Sequence, residues 1–120
     1  MSGQDQQPLN QVYWLRGQKV MIDEDVAALF QINLGVLRRA VSRNKRRFPP
    51  DFLFTPTSEE WLQLERQAGS SLRIGGGQIP LVFTEAGLLM ASGVIKSDVA
   101  VKISIEIING FFQIAKNINR

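Results

Sequence analysis

The chain has 120 residues, 44% hydrophobic and 21% charged, a globular composition with room for one core and not two. It contains no Cys and no His, so disulfides, thiolate or imidazole metal sites, and Ser-His-Asp or Cys-His nucleophilic centres cannot be assembled from it. The formal net charge of +3 is too small to name a partner.

Residues 1–11 (MSGQDQQPLNQ) include four Gln, one Gly and one Pro with little to bury, and are read as a disordered tail. A single domain is expected over 12–118. Residues 12–15 and 19–22 are short β-prone runs around Arg16-Gly17-Gln18, a hairpin in which Gly17 supplies a positive φ. Asp23 suits a helix N-cap, and Glu24 and Asp25 suit the positive end of the helix dipole. That helix should reach about residue 30 and bury Val26, Leu29 and Phe30. After Gln31-Ile32-Asn33 a second helix is expected over 34–46, stopped by Pro49 and Pro50. Two short helices joined by three residues make a helix-turn-helix candidate.

Further along, 51–55 (DFLFT) reads as a strand, and Thr57-x-x-Glu60 is a capping box opening a helix over 58–67. The Gly/Ser-rich stretch 68–78 is expected to be a mobile loop. Its Gly75-Gly76-Gly77 lacks the Lys-Ser/Thr of a phosphate-binding loop, so a flexible wing is the simpler reading. Residues 80–83 form another short strand, and Thr84 caps a helix over 85–94. Ser97 caps a long last helix, 98–117, preferred over a strand because its apolar pattern is too long for one. Val101, Ile105, Ile108 and Phe112 form one stripe of that helix; Ile103, Ile107, Phe111, Ile114 and Ile118 form a second. Trp14, Trp61 and the seven Phe are assigned to the core. The acids Asp23, Glu24 and Asp25 are adjacent but diverge on a helix, so no metal site is expected, and no cofactor.

The basicity is local. Six cations, Arg38, Arg39, Arg43, Lys45, Arg46 and Arg47, lie between Leu34 and Arg47 with no acid among them, while the rest of the chain holds eight cations and eleven acids. On a helical wheel Leu34, Leu37, Ala40 and Val41 share one side and Arg39, Ser42, Arg43 and Arg46 the other, with Arg38 and Lys45 at the border. A structural surface helix usually mixes signs, whereas cations spaced along an outer face suit duplex phosphates or guanine edges. Arg16 and Lys19, beside the hairpin aromatics, are added as candidate DNA contacts. Asn44, on the packed side, is expected to cap or brace the turn into Phe48-Pro49.

Three stretches, LRGQKVMIDEDVAALFQIN (15–33), LRRAVSRNKRRFPPDFLFTPTSEEW (37–61) and PLVFTEAGLLMASGVIKSDVAVKISIEIINGFF (80–112), together resemble the ORF6N domain, a relative of the KilA-N and Bro-N domains. The combination R-G-Q-K-V, R-N-K-R-R-F-P-x-D-F and F-T-E-x-G in that order carries the resemblance. Gly76, Gly77 and Gln78 stand where that family carries a glycine pair followed by basic or aromatic residues. The resemblance implies a small α+β DNA-binding domain of phage and prophage regulatory proteins, antirepressors among them, often followed by a different C-terminal domain.

The expectation is therefore an α+β domain of short strands with a helix-turn-helix-like unit and a long C-terminal helix. It would bind double-stranded DNA without catalysis, in the cytoplasm of a bacterial or phage-infected cell and away from membranes. The alternative is a protein-interaction module that seizes a repressor. A domain of this size can cover one stripe of the last helix, so a homodimer through Ile105, Ile108, Phe111 and Phe112 is expected.

Overall fold

The computed structural model describes residues 12–69 and 80–118, and side chains as far as Gly110. Its first element is a hairpin, β1 (Tyr13–Leu15) and β2 (Gln18–Ile22), turned by two residues. Arg16 and Gly17 both take positive φ, 56° and 75°, matching the twist of a tight hairpin. Glycine takes this conformation freely; for Arg16 it costs about 1 kcal/mol. Two contacts hold it there: Arg16 Nε donates to Glu60 Oε2 at 2.6 Å, and its guanidinium carbon sits 3.7 Å above the Phe54 ring.

Helices α1 (Asp23–Phe30) and α2 (Leu34–Arg43) follow, then a 3-10 turn (Lys45–Arg47), β3 (Leu53–Phe54), α3 (Ser58–Ala68), β4 (Val82–Thr84), α4 (Glu85–Val94) and α5 (Asp98–Ile118). The four strands form one antiparallel sheet in the order β1-β2-β4-β3. Both of its faces are covered. The alternation of strand side chains sends Tyr13, Leu15, Val20, Ile22 and Val82 onto Trp61 and Leu64 of α3. Met21 and Phe83 point the opposite way, into a larger core with Val26, Phe30, Leu37, Val41, Ala91, Ala100 and Ile103. The fold is thus α+β, with α3 on one side of the sheet and the remaining helices on the other.

The helix ends follow local chemistry. Thr57 Oγ1 accepts from Glu60 N at 3.1 Å while Glu60 Oε1 accepts from Thr57 N at 2.9 Å, the reciprocal capping box over α3. Thr84 Oγ1 accepts from Gly87 N at the start of α4 and donates to Asp51 O at 2.9 Å. Ser97 Oγ accepts from Ala100 N at the start of α5. A Gln67 side chain reaches from α3 to both backbone groups of Trp14, accepting from its N–H at 2.8 Å and donating to its carbonyl at 2.7 Å.

Four expectations are corrected. Asp23 does not cap α1: Ile22 holds the cap position without a side-chain bond, and the Asp23 carboxylate is buried against residues distant in sequence. The second helix stops at Arg43, because Asn44 leaves helical geometry (φ −123°, ψ 38°) and its amide donates to Ala40 O at 2.7 Å. The strand expected over 51–55 shrinks to Leu53–Phe54, since Phe52 and Leu53 are drawn into a turn by bonds to Pro49 O. Trp14 is not a core residue: it points to the face opposite Tyr13 and Leu15, beside Lys19 on the edge strand, and is 57% exposed. The tail 1–11 and residues 70–78 of the Gly/Ser stretch lie outside the described residues; Ala68 ends α3, with Gly69 as its C-cap.

Candidate nucleic-acid interface

Helix α2 begins where Gln31 takes a left-handed conformation (φ 62°), closing α1, and where Asn33 Oδ1 accepts from Val36 N at 2.9 Å. Leu37 and Val41 are buried and fix its inner face; Arg39, Ser42 and Arg43 are exposed on the outer one. The chain then runs through the 3-10 turn, which exposes Lys45, Arg46 and Arg47, and is caught again at Phe48. Phe48 is buried edge-on against Phe83, ring centroids 6.3 Å apart. Between the anchors Val41 and Phe48, cations project from backbone the core holds in place. Because α2 is shorter than expected, Arg46 projects from the turn and not from the helix face that carries Arg39 and Arg43.

Among the described residues, Arg39, Arg43, Lys45, Arg46 and Arg47 take no ion-pair partner. Two cations about 6 Å apart repel by roughly 0.7 kcal/mol in water before salt screening, so such a cluster opposes folding slightly. A surface helix with a purely structural role usually mixes charges of both signs. Arg43 and the turn that follows also stand at the C-terminal end of α2, where the helix dipole favours positive charge.

The other candidates are placed differently. Arg38, on the border of α2, donates to Asp23 Oδ2 through Nη2 at 2.8 Å and Nε at 3.2 Å. Asp23 is fully buried, and its Oδ2 also accepts from Leu81 N at 3.2 Å, while its own N–H donates to Leu81 O at 3.0 Å. Its Oδ1 takes no partner among the described residues. Asp23 thus ties together the start of α1, the middle of α2 and the entry to β4. This node was not found from the sequence, where an acid opening a helix looks the same whether it caps or is buried.

Arg16 is held by Glu60, whose carboxyl is depressed to about 2, first by the Arg16 hydrogen bond and then by the Thr57 N–H. Lys19 is exposed and faces Trp14 across the hairpin. It lines a cleft of about 280 Å³ with Leu29, Glu85, Ile103 and Glu106, to which no α2 residue contributes. The structure therefore gathers Arg39, Ser42, Arg43, Lys45, Arg46 and Arg47, gives Arg38 and Arg16 intramolecular partners, and leaves Lys19 elsewhere. Ile105 and Ile108 are exposed on α5, while Phe111 and Phe112 lie beyond the described side chains.

Nearby, Asp25 is raised to about 6, chiefly by burial and then by the charges of Glu24 and Asp23. Among the described residues no group of three or more Asp or Glu is placed to hold a metal ion, and no helix is long and apolar enough to cross a membrane.

No curated protein and no solved structure matches the chain. The family model of the ORF6N domain matches residues 10–94, from just before β1 to the end of α4, and so takes in the hairpin, the basic helix and turn, and the F-T-E-x-G start of α4. On that match, covering well over half its length, the chain belongs to the phage-associated ORF6N family.

Proposed function

We propose that this ORF6N domain binds duplex DNA in phage or prophage regulation, gripping it with α2 and the 3-10 turn. The observation that supports this most is the set of five exposed cations, Arg39, Arg43, Lys45, Arg46 and Arg47, with no acid interspersed and no ion pair among the described residues. Ser42 adds a neutral hydroxyl on the same face. Arg38 acts from behind it, fixing α2 through Asp23. The guanidinium groups supply forked donors for phosphate oxygens, and the duplex in return relieves the repulsion among them. The reading involves no catalytic step and places the protein in the cytoplasm of a bacterial or phage-infected cell.

The test is fluorescence anisotropy on specific and random duplexes over a salt series. Changing Arg39, Arg43 and Arg46 together to Ala is expected to leave the fold intact and to reduce the salt slope by about two to three, near one per phosphate contact. Duplex binding unchanged in strength and slope would overturn the assignment. A wild-type domain that ignores duplex DNA but captures a repressor would place this face among protein-interaction surfaces.

A further inference from the structure

The outer face of α2 is not uniformly basic. At 100° per residue Gly35, Val36, Arg39, Ser42 and Arg43 fall within an arc of about 120° centred on Arg39, opposite the buried Leu37–Val41 edge, and all five are exposed. From Leu34 to Leu37 the helix carries no charge; its cations gather at the middle, at the end and in the 3-10 turn. Val36 is 40% exposed, and of the large apolar side chains exposed among the described residues it is the one on the basic face. Beside it Gly35 leaves the backbone bare. The fold does not require this, since a Cβ at position 35 would meet only Arg39 Nη1 and Asn33 Oδ1, each at 3.5 Å, an ordinary contact. Glycine and valine are both poorer helix formers than alanine, so neither residue serves the helix itself, and departures of this kind concentrate at functional surfaces.

A helix-turn-helix lays its second helix in the major groove with the N-terminal residues toward the base edges. At that end α2 offers an apolar side chain and bare backbone, with the cations following. Val36 and Arg43 lie about 10 Å apart along the helix, against a groove about 12 Å wide, so Arg43 and the turn can stand at a phosphate wall while Val36 reaches the bases. The apolar feature of a base pair in that groove is the thymine 5-methyl group. We propose that Val36 is a specificity-determining residue that packs against a thymine methyl, with Gly35 admitting the helix to the groove. The contact rests on the reading of α2 as a duplex-binding helix and adds to it the base that is read.

A duplex selected by the protein from a random pool, remade with deoxyuridine for each thymidine in turn, tests the contact, because the two bases differ only in that methyl. By fluorescence anisotropy, at least one position is expected at which uracil lowers affinity about fourfold, the worth of one buried methyl-sized group. Val36 belongs to neither core cluster, so Val36→Ala should keep the helical circular dichroism and the urea midpoint. That variant is expected to bind the thymine and uracil duplexes alike, with the salt slope of the wild type, because a methyl contact releases no counterion. Discrimination that persists in Val36→Ala, a selected site indifferent to uracil at every thymine, or duplex binding without sequence preference overturns the methyl contact and leaves the duplex reading standing. A wild-type protein that binds no duplex overturns both.

Discussion

Gly87 and Gly93 lie on the same helix, and alanine is expected to act on them with opposite sign. In a helix interior the Gly-to-Ala change ordinarily stabilises by about 0.5–1 kcal/mol, because the unfolded chain loses freedom. At Gly93 an added Cβ meets nothing within 4 Å, so nothing opposes that gain, which is only reduced by the position one residue from the end of α4. At Gly87 the same atom would stand 2.0 Å from the backbone oxygen of Phe52 and 2.9 Å from its carbonyl carbon, where ordinary contact begins at 3.4 Å. Phe52 O is not free to retreat: it accepts from Thr84 N at 3.0 Å and from Thr84 Oγ1 at 3.3 Å, and so ties the β3 approach to the start of α4. Separating the two costs about 1–3 kcal/mol of overpacking strain and about 1 kcal/mol for each bond lost. After the propensity gain the net loss is about 2–4 kcal/mol. In urea, with m of about 1–3 kcal/mol/M, Gly87→Ala should lower the midpoint by about 1–2 M and Gly93→Ala should raise it by a few tenths. A Gly87→Ala protein at or above the wild-type midpoint, with m unchanged, would refute the close-packing argument.

Adjacent arginines should separate in the same assay. Arg38→Ala strands a fully buried carboxylate and should cost about 2–3 kcal/mol, less than a fully buried pair because Arg38 is itself partly exposed, whereas Arg39→Ala should stay within about 0.5 kcal/mol; equal effects would mean that Asp23 does not organise α2. Asp25 titrates near 6 in the fold, above its ordinary 3.8, so its ionised form opposes folding: the cost is absent below about pH 4 and complete above about pH 6. Asp25→Asn should thus match the wild-type urea midpoint at low pH and exceed it at pH 7, by up to about 1 kcal/mol given the partial exposure of the group; a difference that does not change with pH would contradict this. Glu60 runs the other way. Held near 2, its contribution is present above about pH 4.5 and is lost as pH falls toward 2, so Glu60→Gln should lose stability at pH 7 and draw level with the wild type in acid.

Signals confined to one turn of chain were legible. The Thr57–Glu60 box, the Thr84 and Ser97 caps, the capping of Ala40 O by Asn44 and the inward Leu37–Val41 edge of α2 each depend on neighbours within four residues. The cluster of exposed cations could be read for the same reason. What escaped depends on residues far apart in sequence. Asp23 has its partners at Arg38 and Leu81, and β2 pairs with β4 across some sixty residues, so neither the burial of that carboxylate nor the strand order leaves a local trace. Trp14 is a different case: alternation turns it to the face opposite Tyr13 and Leu15, but that face is also covered, and only the place of β1 at the sheet edge leaves the ring exposed. The family match ends at Val94, yet Ala100 and Ile103 complete the core behind α2, so the folding unit extends past the matched region.

The Gln67 amide that grips Trp14 has a consequence for how copies of this protein meet in concentrated solution. Trp14 pairs with Lys19, and its own N–H and carbonyl are turned away from β2, toward the open side of an edge strand. An edge of this kind is a template on which another extended chain can add. Gln67 offers one acceptor and one donor at the spacing a neighbouring strand would present, and so occupies the template from within the molecule. Gln67→Ala should therefore change the unfolding midpoint little and shorten the lag before thioflavin-positive aggregation: a side chain on the surface of α3 protects the β1 edge less by strengthening it than by leaving it nothing to offer.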